Sequence, residues 1–241
     1  FAAVGLGIVL LWAMRPTCRG VSGSQQYGAF LSHHKERSGA FCRLVKTIAR
    51  RRATMKPIFL DCDELNSLDG LLDVVRCKVE NVVAVLTPGM LQRPWCAAEI
   101  ATAHYNSVTM IPLRCTGFAT SDAELSEGFQ LWEWDHAALV GAGLTLEMVV
   151  MAYQALLSKD VVDLDRFGKL QYQEDVIAGM LRCCSSLPAR STRPTFGQSE
   201  AEPHILLLGS RKDPEDIATI GILQHLLQEQ MQQLIKVIET P

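Results

Sequence analysis

An alternation of short apolar runs with helical patterns between residues 27 and 158 constrains this chain most strongly. Strands that alternate with helices predict βαβ units, whose right-handed crossovers place helices on both faces of one parallel sheet. We therefore predict an α/β fold, a flavodoxin-like, doubly wound sheet of five parallel strands. The predicted strands are Tyr27–Ser32, Pro57–Leu60, Asn81–Leu86, Val108–Leu113 and the candidate Phe129–Trp134. The predicted helices are Phe41–Ala49 with a start at Ser38 or Gly39, Leu71–Val79, one that opens at Pro94, and Leu146–Leu157.

Polar loops follow the predicted strands. In open parallel sheets, ligands bind in the crevice outside the carboxyl ends of the strands. The candidate binding edge therefore consists of the loops 32–39, 61–70, 87–95 and 114–128.

The first fourteen residues, Phe1–Met14, carry no charge. As a helix they would span about 21 Å, short of the roughly 30 Å hydrocarbon core of a bilayer. Since the chain begins with Phe1, and Arg15 and Arg19 follow the segment, we expect the end of a truncated transmembrane helix whose C-terminal flank faces the cytoplasm. A signal-peptide core and a buried helix are the alternatives. Residues 15–26 have the composition of a linker.

The last third of the chain has weaker patterns. Residues 159–184 predict a helical extension, and residues 185–203 are a linker rich in Ser, Thr and Pro. Residues 204–241 predict a strand followed by a helix, with an apolar stripe that runs as far as Ile238. One strand and one helix cannot bury a core alone. The unit either docks on the first domain or begins a second α/β domain that is cut off at Pro241.

Net charge and cysteine spacing exclude two classes of function. The net charge is −3, from 23 Lys and Arg against 26 Asp and Glu, so no nucleic-acid partner is expected. The eight cysteines form no C-x-x-C pair and no Cys/His quartet with zinc-finger spacing, so no metal site is expected. We expect reduced cysteines and a reducing compartment.

Charge is distributed unevenly along the predicted domain. Residues 35–52 hold seven Lys and Arg, whereas residues 61–73 hold five Asp and Glu and no basic residue. Opposed patches on one domain permit head-to-tail association of copies. An ordinary solvated helix face and loop is the alternative.

Three blocks of sequence resemble the Toll/interleukin-1 receptor (TIR) domain family over about residues 27–158. The first two are YGAFLSHHKE (Tyr27–Glu36), similar to the opening strand and its loop, and PIFLDCDEL (Pro57–Leu65), similar to the strand that runs into the BB loop. The third is VAVLTPGMLQRPWCAAEIATA (Val83–Ala103), followed by VTMIPL. Its W-C-x-x-E spacing between two strands is the most specific feature. The chain looks closest to the enzymatic branch, as in plant immune receptors and the axon-degeneration NADase of animals.

This resemblance implies cleavage of the nicotinamide–ribose bond of NAD, with NAD as the substrate and no cofactor. It implies that Glu99 is the catalytic carboxylate. The residues implied to contact NAD are Trp95, Ser32, His33, His34, Lys35 and Asp61. The resemblance also implies that the loop after the second strand mediates association with other TIR domains, including copies of this chain. Its residues are Asp63, Glu64, Leu65, Asn66, Ser67, Leu68, Asp69 and Gly70; the loop has no Pro, and its Gly lies at the end.

The residues around Glu99 suit this chemistry. Trp95 and Glu99 are four apart on a predicted helix, so they share one face, with the small Ala98 and Thr102 leaving room for a ligand. A carboxylate can stabilise the oxocarbenium-like state that forms when a glycosidic bond breaks. The alternatives are a solvated surface charge for Glu99, core packing for Trp95, and a solvated loop for His33 and His34.

The leading hypothesis is a membrane-anchored TIR signalling protein that faces the cytoplasm, self-associates and hydrolyses NAD. The rival is a catalytically silent TIR interaction module. A response-regulator receiver would need paired acids after the first strand and an Asp after the third. Those positions hold Ser32-His33 and Thr87-Pro88, which argues against it.

Overall fold

A computed structural model of the chain describes residues 25–51, 56–61, 68–120, 136–184, 205–210, 212–231 and 235–240. The apolar segment Phe1–Met14, the candidate strand Phe129–Trp134 and the linker 185–203 lie outside these ranges. Among the described residues, no helix combines the length and the apolar composition needed to cross a bilayer.

Five parallel strands form the central sheet, in the order β2-β1-β3-β4-β5. This is the flavodoxin-like order, in which the chain reverses its direction of winding between β1 and β3. The predicted fold class is therefore confirmed. The strands are β1 Tyr27–Ser32, β2 Ile58–Phe59, β3 Val79–Leu86, β4 Thr109–Cys115 and β5 Val162–Leu164.

The fifth described strand comes from a later segment than the candidate Phe129–Trp134, which lies outside the described residues. β5 comes after residue 158, in the stretch for which the sequence predicts only a helix, and it pairs with the end of β4. β3 also begins earlier than predicted, since Val79 belongs to the strand and not to the preceding helix. Both differences have one cause: the pairing partner across the sheet, which a local pattern does not reveal, fixes where a strand begins.

Helices cover both faces of the sheet. Buried side chains of α2, α3 and α5 form one core layer, and those of α1 and α6 form the other. Val-rich β3 contributes to both layers, as a central parallel strand must. The helices are α1 Lys35–Arg50, α2 Leu68–Cys77, α3 Pro94–Tyr105, α4 His136–Gly141, α5 Leu146–Leu157 and α6 Leu170–Cys183.

The C-terminal region forms a βαβ unit. Strands β6 Ile205–Ser210 and β7 Ile235–Thr240 pair in parallel, and α7 Pro214–Met231 connects them. The predicted helical stripe to Ile238 is wrong, because α7 ends at Met231 and Ile238 lies in β7. α7 packs against α1, and its Ala218 is buried in the same core layer. The unit therefore docks on the first domain.

Cysteines in the described ranges are mostly free thiols in buried positions. They are Cys42, Cys96, Cys115, Cys183 and Cys184. Cys77, the last residue of α2, is disulfide-bonded. The expectation of reduced cysteines is therefore wrong at Cys77, since sequence spacing carries little information on pairing.

Candidate active site at the carboxyl edge of the sheet

Three strand ends bring polar side chains to one edge of the sheet. Ser32 ends β1, Asp61 follows β2, and Thr87 follows β3. Ser32 lies level with Ala84 of β3, so the edge coincides with the point where the winding direction reverses. Ligand crevices of flavodoxin-like sheets form at this point.

A tight turn leads from β3 towards α3. The Met90 amide donates to the Thr87 carbonyl at 3.0 Å, with Pro88 and Gly89 in the central positions. Gly89 has φ 78°, as the third residue of a type II turn requires. A 3-10 turn, Met90–Gln92, follows, and Pro94 then opens α3 at a position where its missing N–H costs nothing.

Glu99 lies in the middle of α3 with its side chain enclosed. The residue is 3% exposed, and the Ser32 hydroxyl donates to its Oε2 at 2.5 Å. Burial raises the pKa of Glu99 well above its usual value, and the nearby Asp61 charge raises it further. The Ser32 hydrogen bond and the positive charge of Lys35 oppose this rise. The interpretation of Glu99 as a solvated surface charge is therefore wrong.

Lys35 and Asp61 form an ion pair beside Glu99. The Lys35 Nζ lies 2.8 Å from Asp61 Oδ2, with the lysine side chain 57% exposed and the aspartate buried. The other carboxylate oxygen, Asp61 Oδ1, is buried and has no hydrogen-bond partner among the described residues. A buried acceptor without a donor lowers the stability of the folded state. A ligand that donates a hydrogen bond to this oxygen would remove that cost.

His33 and His34 are both buried, so their interpretation as a solvated loop is wrong. The His33 Nδ1 donates to the Leu31 carbonyl at 3.0 Å, and its Nε2 has no partner in the described ranges. Burial lowers the pKa of both rings. The positive charge of Arg93 lowers the pKa of His34 further. Both side chains are therefore neutral at pH 7 and can bind a ligand only as uncharged donors or acceptors.

The expected open face of α3 is closed except at its start. Ala98, Glu99 and Thr102 are buried, and α5 packs against α3. Trp95 is 43% exposed. Ala98 and Thr102 are therefore closed to solvent, whereas Trp95 is exposed, so the interpretation of Trp95 as core packing is wrong.

Two buried side chains near Glu99 were not predicted as site residues. The Cys96 thiol donates to the His33 carbonyl at 3.4 Å, which ties α3 to the β1 loop. Tyr153 of α5 donates to the Leu91 carbonyl at 2.9 Å. Burial is the main cause that raises the pKa of Tyr153 well above its usual value. The sequence places Tyr153 in the predicted helix Leu146–Leu157, and no local signal marked its proximity to Glu99.

The predicted association loop is only partly described. Asp63, Glu64, Leu65, Asn66 and Ser67 lie outside the described residues. Leu68, Asp69 and Gly70 belong to the first turn of α2, so their prediction as loop residues is wrong.

The site therefore brings together Glu99, Ser32, Asp61, Lys35 and His33. His34 faces Gly89 and Arg93 instead. Within the described ranges, no group of three metal-ligating side chains could hold a metal ion. Chemically, the arrangement supplies a buried carboxylate, a hydroxyl donor on it and a cation at the surface.

No protein-family model matches this chain, and no curated protein matches it significantly. Among solved structures, the chain is similar to the TIR domains in the structure of the activated Roq1 resistosome directly recognizing the pathogen effector XopQ. The identity is 16% and the TM-score 0.48, over 64% of this chain and 97% of that one. The fold assignment rests on the strand order and register given above.

Proposed function

We propose that this chain is a TIR-domain signalling protein that self-associates and hydrolyses NAD at the nicotinamide–ribose bond, with Glu99 as the catalytic carboxylate. The observation that carries the proposal is a buried Glu99 at the ligand-binding edge of the sheet, with the Ser32 hydroxyl as its donor. Glutamates are rarely buried without a paired charge, and strongly shifted carboxylates at such an edge are candidates for chemistry.

In the proposed reaction the C–N bond between nicotinamide and ribose breaks. The leaving nicotinamide takes the electron pair and becomes neutral, so it needs no acid to protonate it. The ribose passes through an oxocarbenium-like state, which ionised Glu99 stabilises by charge and by accepting hydrogen bonds from the ribose hydroxyls. Water then attacks the ribose carbon and releases one proton, which gives nicotinamide, ADP-ribose and H⁺.

Residues around Glu99 are proposed to contact different groups of NAD. Lys35 is exposed and charged, so it is placed to bind the pyrophosphate, whereas neutral His33 and His34 offer only uncharged contacts. Asp61 Oδ1, which has no hydrogen-bond partner among the described residues, can accept from a hydroxyl. Exposed Trp95 offers a ring for stacking.

The setting of the activity is part of the same proposal. The apolar segment Phe1–Met14 is proposed as the membrane anchor, with the TIR domain on the cytoplasmic side. Residues 61–67, which remain of the predicted loop before α2, are proposed as the surface through which copies associate. Both suggestions rest on the sequence patterns and on the resemblance.

A specific observation favours the silent interaction module as the second candidate. Glu99 is only 3% exposed, and the Ser32 hydroxyl occupies one of its oxygens. A ribose reaches that carboxylate only if neighbouring side chains move. A module that only binds other TIR domains needs no such movement.

Nicotinamide release by the full chain separates the two candidates. The full chain is used because β5 and α6 lie beyond residue 158. Release from NAD is followed by chromatography at high protein concentration, free and on anionic vesicles. Variant Glu99→Gln keeps an oxygen acceptor for Ser32 but loses the charge, and exposed Glu36→Gln is the matched control.

Release that disappears in Glu99→Gln and persists in Glu36→Gln supports the enzyme. Because burial raises the pKa of Glu99, release should also increase as pH rises through that pKa. No release in either format favours the interaction module. Release that survives in Glu99→Gln overturns the role of Glu99.

A further inference from the structure

Helix α1 is broken at Ser38, close to the candidate site. Ser38 has φ −151° and ψ 19°, outside the helical region. On the near side of the break, its amide and hydroxyl both donate to the His34 carbonyl, at 2.9 and 3.0 Å. On the far side, a new helical segment begins, and its first amides lack helical partners.

A glutamate from the C-terminal unit caps this new segment. Glu215, in the first turn of α7, accepts a hydrogen bond from the Ala40 amide at 2.6 Å. A carboxylate at a helix N-terminus is favoured by the helix dipole and satisfies an open donor. The cap of α1 is thus supplied by a residue 175 positions away in the sequence.

Arg166 joins the two sides of the break. It lies just after β5, is buried, and donates to Glu215 and to the Arg37 carbonyl, the latter at 2.9 Å. Its guanidinium also lies 5.3 Å from the centre of the Phe41 ring. Arg37 precedes the break, and Ala40 follows it, so one ion pair holds both halves of α1.

Close packing holds α7 in position for this contact. A Cβ atom on Gly221 would lie 3.0 Å from Leu170 Cδ1 and 3.2 Å from Leu44 Cδ1, so the glycine permits the close approach of the helices. Near its C-terminal end, α7 is bound by Arg51, which pairs with Glu229 at 3.0 Å.

The short turn between His34 and Ser38 carries Lys35, which pairs with Asp61 beside Glu99. We propose that Glu215 and Arg166 are positioning residues for the candidate site: docking of α7 fixes the first turn of α1 and so sets Lys35 against Asp61. The expected effect of these residues on NAD binding rests on the proposed function. Their expected effect on the first turn of α1 does not. The site consequently depends on a unit that lies outside the predicted 27–158 domain.

Hydrogen exchange tests the first half of this inference on the full chain. Variant Glu215→Gln weakens the cap, and Glu229→Gln is the matched control, since it removes a charge from the same helix in an exposed ion pair. We expect the amides of residues 35–41 to exchange about tenfold faster in Glu215→Gln, as loss of one charge-assisted hydrogen bond implies. Unchanged exchange in Glu215→Gln overturns the inference, as does equal acceleration in Glu229→Gln. If Glu215→Gln fails to fold by circular dichroism, Arg166→Lys replaces it, because lysine keeps the charge and loses the forked donor.

A double-mutant cycle tests whether Lys35 is what the cap positions. In the proposed enzyme, Glu215→Gln and Lys35→Gln should each raise the KM for NAD about threefold to tenfold with kcat unchanged, and the double variant should show no further rise. Effects that multiply overturn the positioning of Lys35. If the wild-type chain releases no nicotinamide, the proposed function fails. The readout is then no longer KM but the rate at which Lys35 is modified by an amine-reactive ester. That rate should then rise in Glu215→Gln and not in Glu229→Gln, and equal rates overturn the inference.

Discussion

Two glutamates, the buried Glu99 in α3 and the partly buried Glu215 in α7, are held in different ways. Glu215 has the Arg166 guanidinium on one oxygen and the Ala40 amide on the other. Among the described residues, Glu99 accepts a hydrogen bond only from a neutral hydroxyl, that of Ser32. Burial raises the pKa of both above the usual value, and at Glu215 the Ala40 hydrogen bond and the Arg166 charge make the rise smaller. The pKa of Glu99 stays well above its usual value.

The difference shows how the same residue type can stabilise one region and be buried at an electrostatic cost in another. A carboxylate whose charge is matched by a cation and an amide holds elements together. A carboxylate buried without a contacting cation lowers the stability of the fold. Substitutions that change the surroundings of Glu215 or of Glu99 separately test this contrast.

The largest effect is expected at the matched pair. Arg166→Ala should lower the free energy of unfolding by about 3 kcal/mol, because Glu215 then loses its cation in a largely buried setting. Urea unfolding followed by circular dichroism measures the change. Arg114→Ala is the control, since its ion pair with Asp163 is exposed, and no clear shift is expected there. If Arg166→Ala hardly changes the free energy of unfolding, the Arg166 charge does not stabilise Glu215, and the contrast with Glu99 fails.

An intermediate effect is expected where α7 docks. Gly221→Val should cost about 2 kcal/mol by overpacking against Leu44 and Leu170, since the first added carbon already lies at close contact. The same substitution at Gly179 of α6 is the control, because its nearest neighbour is the end of the Arg182 side chain at 3.5 Å. Equal unfolding midpoints for the two variants would contradict the close docking on which the cap by Glu215 depends.

Segments with a complete local signal were predictable from the sequence. β1 has the predicted bounds, because its apolar run is bordered by polar residues on both sides. α5 also has its predicted bounds, and the Thr145 side chain caps it by accepting from the Met148 amide. The fold class followed from such segments, since few topologies connect them.

Features that depend on distant partners were not predictable. β5 has only three residues, too few to show a period, and is defined by its pairing with β4. Glu99 and Ser32 were each named as site residues, but their direct contact depends on how α3 crosses the sheet edge. The cap by Glu215 was not predicted for the same reason. Glu215 lies in the first turn of α7, where an acidic residue is already accounted for by the dipole of its own helix.

The smallest effect, and one of opposite sign, is expected at Glu99. Glu99→Gln should stabilise the fold at neutral pH by about 1 kcal/mol, because the amide keeps an acceptor for Ser32 without the cost of burying or neutralising a charge. For a chain of this length, that gain corresponds to a rise in Tm of roughly 2–4 °C.

The pH dependence of this gain distinguishes it from better packing. Since the folded pKa of Glu99 lies above its unfolded value, the native state binds the proton more tightly, and the wild-type chain loses stability as pH rises between the two values. The advantage of Glu99→Gln should therefore vanish below the ordinary pKa of a glutamate and grow towards neutral pH. Thermal melts from about pH 4 to about pH 8 span this range, and exposed Glu36→Gln should show no such trend. A gain that stays constant with pH would mean that Glu99 is held without electrostatic cost, and the contrast with Glu215 would then disappear.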